Sequence, residues 1–195
     1  MTIVFAEAGW GDGTGQLKKK ALYAYAGLLI LSFFSYILPH RVFNLLLPAY
    51  LVAAPLLLGG RIRFSFSMRD LGLGLLVSAA VLLPFSLAFT DLKIIKAITP
   101  QSMMIQFFAV ALPEEAFFRG YLQDVLRNDL RGVLIVSILF SAAHLPGLLF
   151  QGDTTALLTF FPSLIMGLLY MKTSNILPST IFHFLSNVVV SGFVL

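Results

Sequence analysis

The chain has 195 residues, 58% of them hydrophobic and only 11% charged, with a mean hydropathy of +0.93. A soluble domain carries about 25% charged residues, so these composition values exclude a soluble enzyme, a nucleic-acid binder and a disordered chain. The net charge of +4 is explained by loop lysines and arginines that orient membrane spans, and the absence of cysteine rules out disulfides, thiolate metal sites and a cysteine nucleophile.

Residues 1–20 form a polar N-terminal tail that contains Gly9, Gly11, Gly13 and Gly15 and closes on Lys18, Lys19 and Lys20. A short element within it, Gly9-Trp10-Gly11-Asp12, matches Gly-x-Gly-Asp, but it precedes every apolar run and reads as a flexible turn. The run 21–38 follows the lysines at near-spanning length and reads as an uncleaved first span. Further spans are predicted at about 42–58, 71–90, 101–118, 132–150, 155–171 and 176–195, each close to the ~20 residues a bilayer needs. None alternates as a barrel strand must, and helices are the other way to satisfy backbone groups in lipid. The fold class is therefore all-α: a polytopic membrane helix bundle of about seven transmembrane helices, within a range of six to eight.

Pro39, Pro100, Pro162 and Pro178 fall near predicted boundaries, whereas Pro48, Pro55, Pro84 and Pro113 fall inside spans and should disturb them. Residues 21–195 read as one membrane-embedded domain. With the N-terminus cytoplasmic, ten basic residues lie inside (Lys18, Lys19, Lys20, Arg61, Arg63, Arg69, Arg119, Arg127, Arg131 and Lys172) against Arg41, Lys93 and Lys96 outside. The stretch 119–131 is expected to extend the fourth helix along the interface. His40 beside Arg41 reads as an interfacial loop residue, and Trp10, Tyr23, Tyr25 and Tyr170 suit interfacial anchoring.

Ionisable residues inside apolar runs are costly and mark function. Glu114 and Glu115 follow Pro113 at the end of an apolar run. On a helix Glu115 faces Arg119, four residues on, while Glu114 points about 100° away and stays unneutralised. His144 lies deep in its run with Phe140 one turn back, where the phenyl ring would fix the imidazole's orientation. His183 and Asn187, again four apart, share a face of the last span. At 1.5 Å per residue, Glu114 and His183 sit roughly 10 Å from the inner face and His144 about 18 Å from it. These depths are close enough for tilted helices to bring the groups together. Each feature alone is compatible with a helix end, a satisfied core histidine or interhelical hydrogen bonding.

Taken in order, Glu-Glu-x-x-x-Arg, Phe-x-x-x-His and His-x-x-x-Asn resemble the CAAX protease and bacteriocin-processing family, also called the Abi family, of intramembrane proteases. The stretch 167–178 (GLLYMKTSNILP) is similar too, and the likeness covers a motif-bearing core of about 101–190. The resemblance implies a glutamic-type, metal-independent intramembrane endopeptidase. In it Glu114 would activate a water with help from His144, His183 and Asn187 would hold the oxyanion, and Glu115, Arg119 and Phe140 would support them. It implies membrane lipid and a membrane-anchored protein or peptide as partners (prenylated, sorting-signal or bacteriocin-type). It also implies a bacterial or archaeal cytoplasmic membrane as the location. Chemistry agrees: a carboxylate withdrawn from water is a stronger base, and imidazole and amide N–H groups stabilise a developing oxyanion. Phe107, Phe108, Phe117 and Phe118 are candidates to line a lipid or prenyl channel.

Two other readings fit the same groups. Glu114, His144 and His183 are legitimate zinc ligands, although no His-Glu-x-x-His is present. A non-catalytic immunity or binding protein, or a proton-coupled carrier, would also bury them, although no inverted repeat is visible. No Gly-x-Ser-x-Gly element supports a serine nucleophile.

Overall fold

The computed structural model describes residues 13–38, 40–89 and 99–192. The Gly9–Asp12 element, Trp10, Pro39, Lys93 and Lys96 lie outside them, as do the side chains of His40 and Arg41. Every regular element among the described residues is helical. Helices α1 (Gly13–Ser35), α2 (His40–Leu57) and α3 (Met68–Phe89) precede a composite rod, α4, over 100–126. Then come α5 (Leu130–Ala143), α6 (Leu145–Gln151), α7 (Thr155–Leu158), α8 (Phe160–Thr173) and α9 (Ile176–Gly192).

Among the described residues, three stretches are long and apolar enough to cross a membrane: Met68–Ala88, Leu130–Gln151 and Thr155–Thr173. Val42–Leu57 and Ile176–Ser191 are shorter apolar helices. A membrane bundle fits these helices, but seven full-length spans are not confirmed among the described residues, for two physical reasons. Helix α1 begins inside the polar tail and carries Lys18, Lys19 and Lys20 on its first turns. Rod α4 is interrupted by π turns and holds seven charged or amide groups, Gln101, Gln106, Glu114, Glu115, Arg119, Gln123 and Asp124.

The distribution of polarity is inverted relative to a soluble protein. Leu57, Leu87 and Leu45 are 83%, 78% and 77% exposed, while Glu115, Arg119 and Gln123 are fully buried. That arrangement is stable only where the surroundings are themselves apolar.

Rod α4 is the centre of the bundle: α2 and α9 pack on its middle, and α1, α5 and α8 on its C-terminal half. Around this hub α3 lies along α9, and α8 lies along both α5 and α9. All residues from Phe117 to Gln123 are buried, so the rod is enclosed on every side there. The expectation that 119–131 runs along the interface is corrected accordingly. The helix does continue to Leu126, but of the three arginines in the stretch Arg119 is a core residue while Arg127 and Arg131 are exposed. Phe117 and Phe118 are likewise core residues rather than channel walls. Of the proposed anchoring tyrosines, Tyr23 is exposed. Tyr25 instead donates to the Leu139 carbonyl at 2.8 Å, and Tyr170 to Asp124 at 3.2 Å, both from buried positions.

Local sequence sets the element ends. Thr99 caps α4 by accepting from the Ser102 N–H at 3.2 Å, with Pro100 at the first helical position where its missing N–H is harmless. Asp129 caps α5 through the Gly132 N–H at 3.0 Å. Gly74 allows α3 to approach α9 closely, since a Cβ there would lie 3.0 Å from the Pro178 carbonyl oxygen.

Between α2 and α3 the chain runs over 60–67 without regular secondary structure, as a strap fastened by the α8–α9 corner. Ile176 N–H donates to the Arg63 carbonyl at 3.0 Å. The Asn175 side chain accepts from Ser65 N–H at 3.0 Å, and its Nδ2 donates to the Ser65 carbonyl and to Asp70, each at 2.8 Å. One buried amide thus satisfies both backbone groups of Ser65 in a segment with no helix or sheet ladder of its own. Asn175→Ala should lower stability by about 1–2 kcal/mol, because part-buried backbone groups lose their partners. Thermal unfolding in micelles checks this, and an unchanged midpoint would contradict it.

Candidate active site

Two departures from regular α-helix shape the site. The first precedes the glutamates. Pro113 has no N–H to donate, and the backbone just before it adopts a π turn over Gln106–Ala111, in which Leu112 N–H reaches back to the Phe107 carbonyl. A second π turn, Phe118–Gln123, follows the α-helical turn Leu112–Phe117 that bears both carboxylates. The second departure is at His144. Its N–H bonds to Ser141 O at 3.0 Å instead of continuing to Phe140 O, and Pro146 opens α6 just beyond. The freed Phe140 carbonyl accepts from the His144 ring itself, Nδ1 to O at 2.8 Å. That bond places the proton on Nδ1 and leaves Nε2 as the acceptor nitrogen of a residue that lines the cleft described below.

The buried polar face of α4 is anchored on α8. Glu115 and Arg119 pair at 3.4 Å with side chains 0% and 1% exposed. Arg119 Nη2 donates to the Ser163 carbonyl at 3.1 Å and to its hydroxyl at 2.9 Å. One helical turn further, Gln123 donates to the Gly167 carbonyl at 3.0 Å. The Arg119 guanidinium lies over the Phe140 ring, 4.8 Å from its centroid. Phe140 also meets the rings of His144 at 4.7 Å and His183 at 5.7 Å. A single phenyl ring therefore separates the buried cation from both imidazoles.

His183 is 6% exposed and sits between the two glutamates. Its Nδ1 donates to Glu115 Oε1 at 3.0 Å, and its Nε2 lies 3.7 Å from Glu114 Oε2. Glu115 therefore contacts two cationic or potentially cationic groups, where the sequence suggested Arg119 alone. Glu114 Oε2 is buried and has no hydrogen-bond partner. Asn187 Nδ2 donates to Gln106 Oε1 at 3.2 Å.

These side chains share one cleft. Glu114, His144, His183 and Asn187 line a partly open cavity of about 80 Å³, together with Val110, Phe140, Thr159, Pro162, Met166 and Ser186. That volume holds a few waters. The four candidate groups come from α4, from the end of α5 and from α9, so the fold brings all of them to a single space. Glu115 and Arg119 lie behind this wall, fully buried. Among the described residues, no group of three or more His, Asp or Glu side chains is arranged to hold a metal ion. Gln106 was missed at sequence level. Its signal was its isolation, a lone amide in the apolar stretch Met103–Leu112.

Residues 97–189 match the family model described as type II CAAX prenyl endopeptidase, Rce1-like. No curated protein and no solved structure matches the chain. The matched segment contains all three sequence motifs and every residue of the cleft. The family implies a CAAX-type intramembrane endopeptidase, in keeping with the apolar helices and the inverted polarity of an integral membrane protein. Over residues 97–189, just under half of its length, the chain is similar to the CAAX-type protease family that its glutamate, histidine and asparagine motifs resemble.

Proposed function

We propose that this protein is a glutamic-type intramembrane endopeptidase that hydrolyses a peptide bond of a membrane-anchored substrate. The observation that carries the reading is the shared cleft, in which Glu114, one of whose carboxylate oxygens has no hydrogen-bond partner, lines a space large enough for water beside two histidines and an asparagine. In this reading Glu114 takes a proton from a water held between its carboxylate and His144 Nε2. The water oxygen bonds to the scissile carbonyl carbon, and the carbonyl electron pair moves onto oxygen. Asn187 Nδ2 and His183 Nε2 donate to that oxyanion. With Nδ1–H committed to Glu115, His183 can donate from Nε2 only as the imidazolium, whose charge the two neighbouring carboxylates balance. The proton gained by Glu114 then passes to the leaving nitrogen as the C–N bond breaks, and the carboxylate is restored.

Val110, Pro162 and Met166 give the cleft apolar walls suited to a substrate tail, prenylated or otherwise hydrophobic. The reading needs no metal. Purified protein should cleave a fluorogenic farnesylated peptide at an unchanged rate in millimolar chelator. Activity lost on chelation and restored by zinc would favour the zinc-peptidase alternative. A folded protein cleaving no membrane peptide would favour the binding or immunity alternative. The same proposal places the N-terminus in the cytoplasm. Removing the buried Arg119 from the charge count leaves nine of the other twelve basic residues on that side.

A further inference from the structure

We propose that Gln106 is a positioning residue for Asn187, delivered to the site by the π turn that precedes Pro113; this rests on the reading of Asn187 as an oxyanion donor. Gln106 belongs to none of the three motifs. In a continuous α-helix it would sit roughly 80° around the axis from Glu114, eight residues on. Within an i→i+5 turn each residue advances through a smaller angle. The Gln106–Ala111 turn therefore swings Gln106 toward the face that carries Val110 and Glu114. There its Oε1 accepts one N–H of Asn187 across the α4–α9 contact at 3.2 Å.

This contact has a chemical consequence. A primary amide offers a carbonyl oxygen as readily as an N–H₂, and an oxygen aimed at a developing oxyanion would repel it. Gln106 holds the nitrogen end of Asn187 by one hydrogen. The second hydrogen stays free, and the amide plane is fixed. Without Gln106, Asn187 loses its only side-chain hydrogen bond among the described residues and can turn its oxygen inward. Preorganised donors derive their catalytic value from not having to reorient during reaction.

The test is a double-mutant cycle with purified protein in micelles and a fluorogenic farnesylated peptide, comparing wild type, Gln106→Met, Asn187→Ala and the double variant. Gln106→Met should lower kcat about tenfold with KM within twofold, since misplacement of a donor acts on the transition state. In the Asn187→Ala background the same change should cost less than twofold, because Gln106 acts through Asn187. An equal cost in both backgrounds, or an unchanged kcat for Gln106→Met, overturns the proposal. If Asn187→Ala keeps wild-type kcat, the oxyanion reading itself fails and the proposal falls with it. If Gln106→Met does not fold, Gln106→Ala removes the same acceptor and runs the same cycle.

Discussion

Glu114→Gln should abolish peptide cleavage while leaving the protein folded. The two side chains have nearly the same shape, and only the amide cannot take a proton from water. Loss of the base in such a step costs about 10²–10⁴ in rate. The fold should tolerate the change because the Glu114 side chain is 19% exposed in the cleft, and its contact with His183 Nε2 is a long one of 3.7 Å. Cleavage of a farnesylated peptide reports the activity, and the unfolding midpoint in micelles reports the fold. A Glu114→Gln protein that cleaves normally would assign the base to another group. The adjacent Glu115 provides the contrast, since it is fully buried and bound to both Arg119 and His183. Glu115→Gln should therefore damage the fold as well as the site.

Arg119→Leu should be the most destabilising single change in the bundle. Breaking a buried pair by removing one partner costs about 3–5 kcal/mol, because the other charge is left uncompensated. Here that charge is Glu115, 0% exposed, and the change also removes two hydrogen bonds to Ser163 and the contact with the Phe140 ring. A total stability of about 5–15 kcal/mol leaves little after such a loss. Arg119→Lys should rescue only part of it. A lysine keeps the charge but not the planar fork that reaches the Ser163 carbonyl and hydroxyl together. The measurement is the folded fraction and unfolding midpoint in micelles. An Arg119→Leu protein as stable as wild type would show that the pair carries no structural load.

The sequence made the helical class and the helix positions legible, because continuous apolar runs admit few other solutions in lipid. The predicted run 155–171 and the observed Thr155–Thr173 differ by two residues at one end. The pairing of Glu115 with Arg119 was readable from their spacing of four, and the structure bears this contact out. The π turns were not readable, since Gln106–Ala111 has the composition of any apolar helix and its geometry is settled by Pro113 together with packing. The second contact of Glu115, with His183, joins residues 68 apart in sequence. Such a contact depends on how α4 and α9 cross, which local pattern does not encode. Tyr25 and Tyr170 were misplaced for a related reason. An amphipathic ring suits an interface, but it suits equally well a buried site with one carbonyl or carboxylate in reach of its hydroxyl.

The strap over 60–67 bears on where the functional unit ends. The family match begins at residue 97, yet the amide of Asn175 holds the backbone of Ser65, the Ile176 N–H holds Arg63, and α3 covers a flank of α9. A fragment cut at the edge of the match would leave those donors and acceptors bare and would strip the flank of the helix that presents His183 and Asn187. The stretch without recognisable signature is thus scaffolding for the stretch that has one, and evolutionary relatedness and autonomous folding have different borders in this chain.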